Sequence, residues 1–130
     1  MLCVAFQNRL NPAVVYLKEC IDKKKFGKIV KASVSLLWCR YQNYYNDDWH
    51  GTWKMDGGVI NQQAIHYIDI LRWLFGPVKE VFCYMGNRIN KLEAEDTAVA
   101  TLKFNNDSLG TIEATTAARP VDIHASLSVV

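Results

Sequence analysis

Asp56-Gly57-Gly58-Val59-Ile60-Asn61-Gln62-Gln63-Ala64-Ile65-His66-Tyr67-Ile68-Asp69-Ile70-Leu71-Arg72-Trp73-Leu74-Phe75-Gly76-Pro77 reads as a glycine-containing loop running into a helix. Ile60, Ala64, Tyr67, Ile68, Leu71, Leu74 and Phe75 recur at three- and four-residue spacing, so they form one apolar stripe. Gln62, His66, Asp69 and Trp73 recur at similar spacing on a second face. A core helix normally gives that second face to Lys and Glu. Here it carries an amide, an imidazole and a carboxylate, just after two glycines that let a backbone approach a ligand closely. Gly76-Pro77 stops the helix. A lone helical histidine is more often a packed or solvated group. This setting instead makes His66 a candidate for proton transfer, with neighbours able to orient it.

Outward from the helix, residues 39–55 show no clear period and are rich in Tyr, Asn, Asp and Trp. A loop this long is unusual in a compact domain and is commonly functional. Arg40, Tyr44 and Tyr45 place a cation and two flat amphipathic rings in it; packing of the rings to pin the loop is the competing reading. Asn11-Pro12 caps and starts an earlier helix with Val14, Leu17, Ile21 and Phe26 as its buried stripe, ended by Gly27. Strands are expected where residues alternate: 28–38, 78–85, 95–104, 109–116 and 123–129. Asn105-Asn106-Asp107-Ser108 marks a hairpin between the third and fourth of these. Two helices and five strands predict an α+β fold, a mostly antiparallel sheet with helices packed on one face. The other face carries Ser33, Ser35, Thr97, Thr101, Thr111, Thr115, Ser126 and Ser128, with few charges to deter association. It is expected to be free for homo-oligomer formation.

The 130 residues make one domain, and 50% hydrophobic content with 12% aromatics is ample for a core. A net charge of +2 is too mild to argue for nucleic acid; Lys23-Lys24-Lys25 reads as a solvated helix end. No apolar run approaches the roughly 20 residues of a membrane span. Residues 1–6 read as a strand-like stub without the basic start or cleavage site of a signal peptide. Cys3, Cys20, Cys39 and Cys83 lie far apart and read as reduced, mostly buried thiols of a cytoplasmic protein, with no metal-ligand spacing.

Asp56-Gly57-Gly58 followed by Gln62-Gln63 and His66-Tyr67-Ile68-Asp69 resembles the second domain of the glucose–fructose oxidoreductase/inositol dehydrogenase (Gfo/Idh/MocA) family. Gln7-Asn8-Arg9, Asn11-Pro12, Arg40…Tyr44-Tyr45, Trp49-His50-Gly51-Thr52 and Glu95-Asp96-Thr97-Ala98 extend the likeness over nearly the whole chain. The Gln-Gln-x-Ile-His form and the tyrosine pair look most like the branch that oxidises the 3-hydroxyl of UDP-N-acetylglucosamine-type uronates. The resemblance implies a sugar or nucleotide-sugar oxidoreductase using NAD or NADP. Residues 1–8 would end a Rossmann domain missing here, and 9–130 would be the family's C-terminal α+β domain, cut short at its C-terminus. No GxGxxG and no Glu-Lys-Pro motif occurs, so the cofactor residues and the usual catalytic lysine lie elsewhere and this chain alone is expected to be inactive. By resemblance His66 is catalytic, aiding that lysine, while Arg40, Tyr44, Tyr45, Asp56, Gln62 and Gln63 bind substrate. Arg is expected at the position of His50, and Asp or Asn at that of Gln62; a glutamine amide cannot act as a base.

Two other function classes remain open at this level. One is a non-catalytic sugar-binding or assembly module. The other is a metal-dependent lyase or isomerase using His66, Asp69 and His50, whose spacing matches no metal motif.

Overall fold

The computed structural model describes Leu2, Cys3 and residues 5–130. The expected strand-like stub falls partly on Met1 and Val4, outside the described residues; Leu2, Cys3, Ala5 and Phe6 are not in a strand. A 3-10 turn, Gln7–Leu10, leads into helix α1, Pro12–Asp22. Asn11 caps α1 by accepting the Ala13 amide at 2.9 Å. Val14, Leu17 and Ile21 pack against the core as the periodicity predicts. Phe26 does not: it is exposed, because α1 stops at Asp22, where Lys24 turns left-handed and the Lys25 amide closes on the Cys20 carbonyl.

Five strands follow the alternation read from the sequence: β1 Lys31–Leu37, β2 Val78–Gly86, β3 Thr97–Phe104, β4 Leu109–Thr115 and β5 His124–Val129. They form one sheet in the order β2-β3-β4-β1-β5, in which only the β1–β4 pair is parallel. Ala32, Val34, Leu36, Ala98, Ala100, Leu102, Phe104, Ile112 and Ala114 line its covered face.

The helical segment is broken. Helix α2 spans Val59–Gln62 and α3 spans Ile65–Phe75, with the chain kinked at Gln63-Ala64. Ala64, Ile70, Leu71, Leu74 and Phe75 lie against the sheet; Phe75 meets Phe104 with ring centroids 5.7 Å apart. Burying one such side chain contributes about 1.5–3 kcal/mol. Gly76, with φ +84°, ends α3 as its sequence position predicts.

The opposite sheet face is open. Register sets Phe82, Thr101, Thr111, Ser33 and Ser128 in one row across all five strands, and Tyr84, Val99, Glu113, Ser35 and Ser126 in the next. The Ser/Thr composition is as expected; the exposed rings of Phe82 and Tyr84 at the β2 edge add apolar area to it. Of the cysteines only Cys20 is buried; Cys3 and Cys83 are exposed, which corrects the expectation of mostly buried thiols.

Candidate functional site

The aromatic-rich loop is held from both sides. Gln42 opens its 3-10 turn, Gln42–Tyr45, and exchanges two hydrogen bonds with the backbone of Lys91, at 2.7 and 3.0 Å. Tyr45 shares a 2.7 Å hydrogen bond with Thr116 Oγ1, and burial pushes its phenol above the ordinary value. Tyr45 therefore fixes the loop. Tyr44, set edge-on to it at 5.0 Å, faces α2 and accepts a hydrogen bond from Gln62 Nε2 at 2.7 Å. That bond leaves the amide oxygen of Gln62 as an acceptor and the Tyr44 hydroxyl hydrogen as a donor.

His50 is immobilised beside Tyr44. Its ring lies 4.2 Å from that of Tyr44 and 3.5 Å from that of Trp49, with Nδ1 2.5 Å from Asp47 Oδ2. The Asp47 carboxylate also accepts the amides of Trp49 and His50. Asp56 accepts the Gly51 amide at 2.7 Å and closes the next turn.

His66 begins the second turn's worth of chain beyond Gln62, on α3. It is half-buried, its Nδ1 is fully enclosed, and that nitrogen has no hydrogen-bond partner among the described residues. Among the described residues Asp69 does not hydrogen-bond it. Both Asp69 oxygens are taken by Arg9, from Nε and Nη2, each at 2.6 Å. Gln63 is 5% exposed and sits in the break between α2 and α3. Arg40 donates to the Cys39 carbonyl at 2.7 Å and to Asp122 at 3.1 Å, and stands 5.8 Å from the centre of the Tyr44 ring. Tyr44, Gln62, His50 and Arg40 are thus brought together, whereas Asp69 is drawn away.

The glycines serve a different purpose from the one their sequence suggests. A Cβ on Gly58 would lie 2.3 Å from the Glu95 carboxyl and 2.4 Å from the Glu95 carbonyl oxygen; on Gly57 it would lie 2.7 Å from Asn61. The close approach is internal to the domain. Glu95, almost fully buried, accepts the Val59 amide on its carbonyl and the Ile60 amide on its carboxylate, so it caps α2. Asp96 is fully buried and accepts the amides of Arg88, Ile89 and Asn90 together with the Thr97 hydroxyl. Residue spacing alone assigns this acidic pair no role. Its signal is two adjacent carboxylates at the mouth of a strand that otherwise alternates small apolar and hydroxyl residues.

A cavity of about 450 Å³ lies between α3 and β2–β3, lined by Ile60, Ile68, Leu71, Val81, Met85 and Leu102. It is apolar and contains none of Tyr44, Gln62 or His66, so the polar constellation is taken as the site on its chemistry. Among the described residues no three His, Cys, Asp or Glu side chains converge on a point that would hold a metal, and no helix is long and apolar enough to cross a membrane.

Residues 14–129 match the family model of the GFO/IDH/MocA C-terminal domain. Among solved structures, the WlbA dehydrogenase of Bordetella pertussis, in complex with NADH and UDP-GlcNAcA, is 38% identical with a TM-score of 0.95, covering 99% of this chain and 40% of that one. The WlbA dehydrogenase of Chromobacterium violaceum, with the same two ligands, is 37% identical with a TM-score of 0.94, covering 98% of this chain and 37% of that one. An oxidoreductase of Synechocystis is 28% identical over 115 residues, 78% of this chain and 31% of the relative. The chain spans about a third of the curated relatives it matches. With 116 consecutive residues under one family model, the chain belongs to the GFO/IDH/MocA family, as its C-terminal domain.

Proposed function

We propose that this chain is the substrate-binding and self-association domain of an NAD- or NADP-dependent oxidoreductase that acts on a hydroxyl of a sugar or nucleotide-sugar. The 3-hydroxyl of a UDP-N-acetyl-hexuronate is the preferred case. The observation that carries the reading is the enclosed Nδ1 of His66, without a partner among the described residues, one turn of sequence beyond the Gln62–Tyr44 pair. It lies on a scaffold that in the WlbA relatives is in complex with NADH and UDP-GlcNAcA.

Oxidising a secondary alcohol removes a hydride from carbon and a proton from oxygen; a bound nicotinamide takes the hydride. This chain's residues serve the oxygen side. His66 holds or relays the hydroxyl proton. Gln62 Oε1 and the Tyr44 hydroxyl fix neighbouring sugar hydroxyls. Tyr45, Asp56 and Gln63 support that surface, and Arg40 reaches a pyrophosphate by sharing or leaving its bond to Asp122. By resemblance, the lysine of a Glu-Lys-Pro motif in a preceding Rossmann domain would be the principal base. The start of α2 does not fit a dinucleotide phosphate. The space next to Gly58, before α2, is filled by the Glu95 carboxyl, which would repel a phosphate.

The open sheet face supplies the second part of the proposal. Its small hydroxyl side chains, with Phe82 and Tyr84 at one edge, suit a two-fold pairing with another copy, in a cytoplasmic enzyme. A sugar-binding or assembly module without catalysis is the second reading.

The test is reduction of NAD or NADP in the presence of UDP-N-acetylglucosaminuronic acid, by the enzyme that joins this chain to a dinucleotide-binding domain. Turnover is expected from that enzyme and not from the 130-residue chain. Binding of the nucleotide-sugar with no turnover by the joined enzyme favours the module.

A further inference from the structure

We propose that Arg9, Asp69 and Phe6 are positioning residues that set the orientation of the His66 imidazole, an inference that rests on the assignment of His66 to the site. The geometry is a two-point attachment. Arg9 grips Asp69 through a bidentate pair, with both bonds 2.6 Å long. Three residues earlier Phe6 meets His66, three residues before Asp69, with ring centroids 6.1 Å apart and planes 74° apart. Equal offsets on the two segments mean that the entering chain runs alongside α3 in the same direction. The track continues one turn on, where the Arg9 guanidinium lies 5.5 Å from the centre of the Trp73 ring and Lys18 of α1 lies 5.9 Å from it.

This explains why the second face of α3 lacks Lys and Glu: His66, Asp69 and Trp73 form the seam on which residues 6–18 dock. It also supplies what His66 otherwise lacks. An imidazole used for proton transfer ordinarily has its second nitrogen tied to a carboxylate or carbonyl, which fixes the ring. His50 has such a tie, to Asp47. His66 has none among the described residues, since its enclosed Nδ1 is unpartnered and the nearest carboxylate in sequence is used up by Arg9. Its ring orientation is therefore left to packing, and the Phe6 ring is the aromatic contact on it. A fork geometry is needed to hold Phe6 in place, because a single point charge leaves the segment free to swivel.

The test is NMR of this chain without substrate. The parent is expected to show cross-relaxation between the Phe6 and His66 ring protons, and couplings across the His66 Cα–Cβ bond that report one rotamer. Arg9→Gln is expected to lose the Phe6–His66 signal and to average those couplings, with the amide pattern of the sheet unchanged. Arg72→Gln, at an exposed position on the same helix, is expected to leave both as they are. A single His66 rotamer persisting in Arg9→Gln overturns the proposal, as does absence of the Phe6–His66 signal from the parent. If Arg9→Gln does not fold, Phe6→Ala decides: averaged His66 couplings uphold the positioning role and an unchanged single rotamer refutes it. Nothing in this readout depends on turnover. Its failure leaves the site assignment standing, and a His66 variant with full activity sinks that assignment while leaving the docking seam intact.

Discussion

Arg40 and Asp47 show how much a single side chain's partners constrain its role. Arg40 is spoken for in the free chain, by Asp122 and by the carbonyl of Cys39, yet a guanidinium has donors left for a phosphate. Arg40→Lys keeps the charge and loses the fork, so KM for a nucleotide-sugar should rise about fivefold with kcat little changed. An unchanged KM would remove Arg40 from the site. Asp47 carries a pH dependence. Burial alone would raise its carboxyl, but hydrogen bonds from the backbone and ring of His50 and from the Trp49 amide outweigh that and hold it below its ordinary 3.8. A carboxyl lowered by folding contributes stability that is complete above its ordinary value and lost as pH falls through the folded one. The Trp49–His50 turn should therefore loosen only in acid, below about pH 4. The indole signal of Trp49 should report that step, and Asp47→Asn should abolish it.

Among the elements, the start of α2 carries the most weight. Glu95 fills the space that Gly58 leaves, and its carbonyl and carboxylate hold the first two amides of α2. Gly58→Ala forces its methyl into a backbone oxygen that cannot move independently. It should cost about 1–3 kcal/mol in denaturant unfolding, whereas Gly86→Ala, whose nearest neighbour is 3.6 Å away, should be tolerated. Equal stability of the two variants would contradict this role for Glu95. The strands were legible because one covered face imposes strict alternation, as in Ala98-Val99-Ala100-Thr101-Leu102. The break at Gln63-Ala64 was not, since the apolar stripe continues across it and its mark is a backbone bond from the Ala64 amide to the Val59 carbonyl, five residues back. The same limit applies to α1, where Phe26 fits the period but lies past a left-handed turn at Lys24. Within the candidate site, Tyr44, Gln62 and His66 could be picked out by residue type, and the first two are hydrogen-bonded. The diversion of Asp69 to Arg9, 60 residues away, could not be.

For the whole molecule, the two faces of the sheet divide the work: one builds the core and carries the site's helices, and the other is left bare. Pairing of bare faces would bury about 1,600 Å² in total, a standard interface. Thr101→Lys with Ser128→Lys places two cations in one cross-sheet row without touching the core. Light scattering should give a dimeric or larger mass for the parent and a monomeric one for the double variant. A monomeric parent at millimolar concentration would rule out pairing by this chain alone.

At that same scale, the proposed role of this domain is to present a sugar hydroxyl to His66. The most direct measurement compares NAD(P) reduction with UDP-N-acetylglucosaminuronic acid by the joined enzyme and by its His66→Asn variant, with folding checked by circular dichroism. We expect a folded variant whose kcat is reduced by about 10²-fold or more, the usual scale for loss of a general acid–base group. A folded His66→Asn enzyme with undiminished kcat would remove His66 from the reaction.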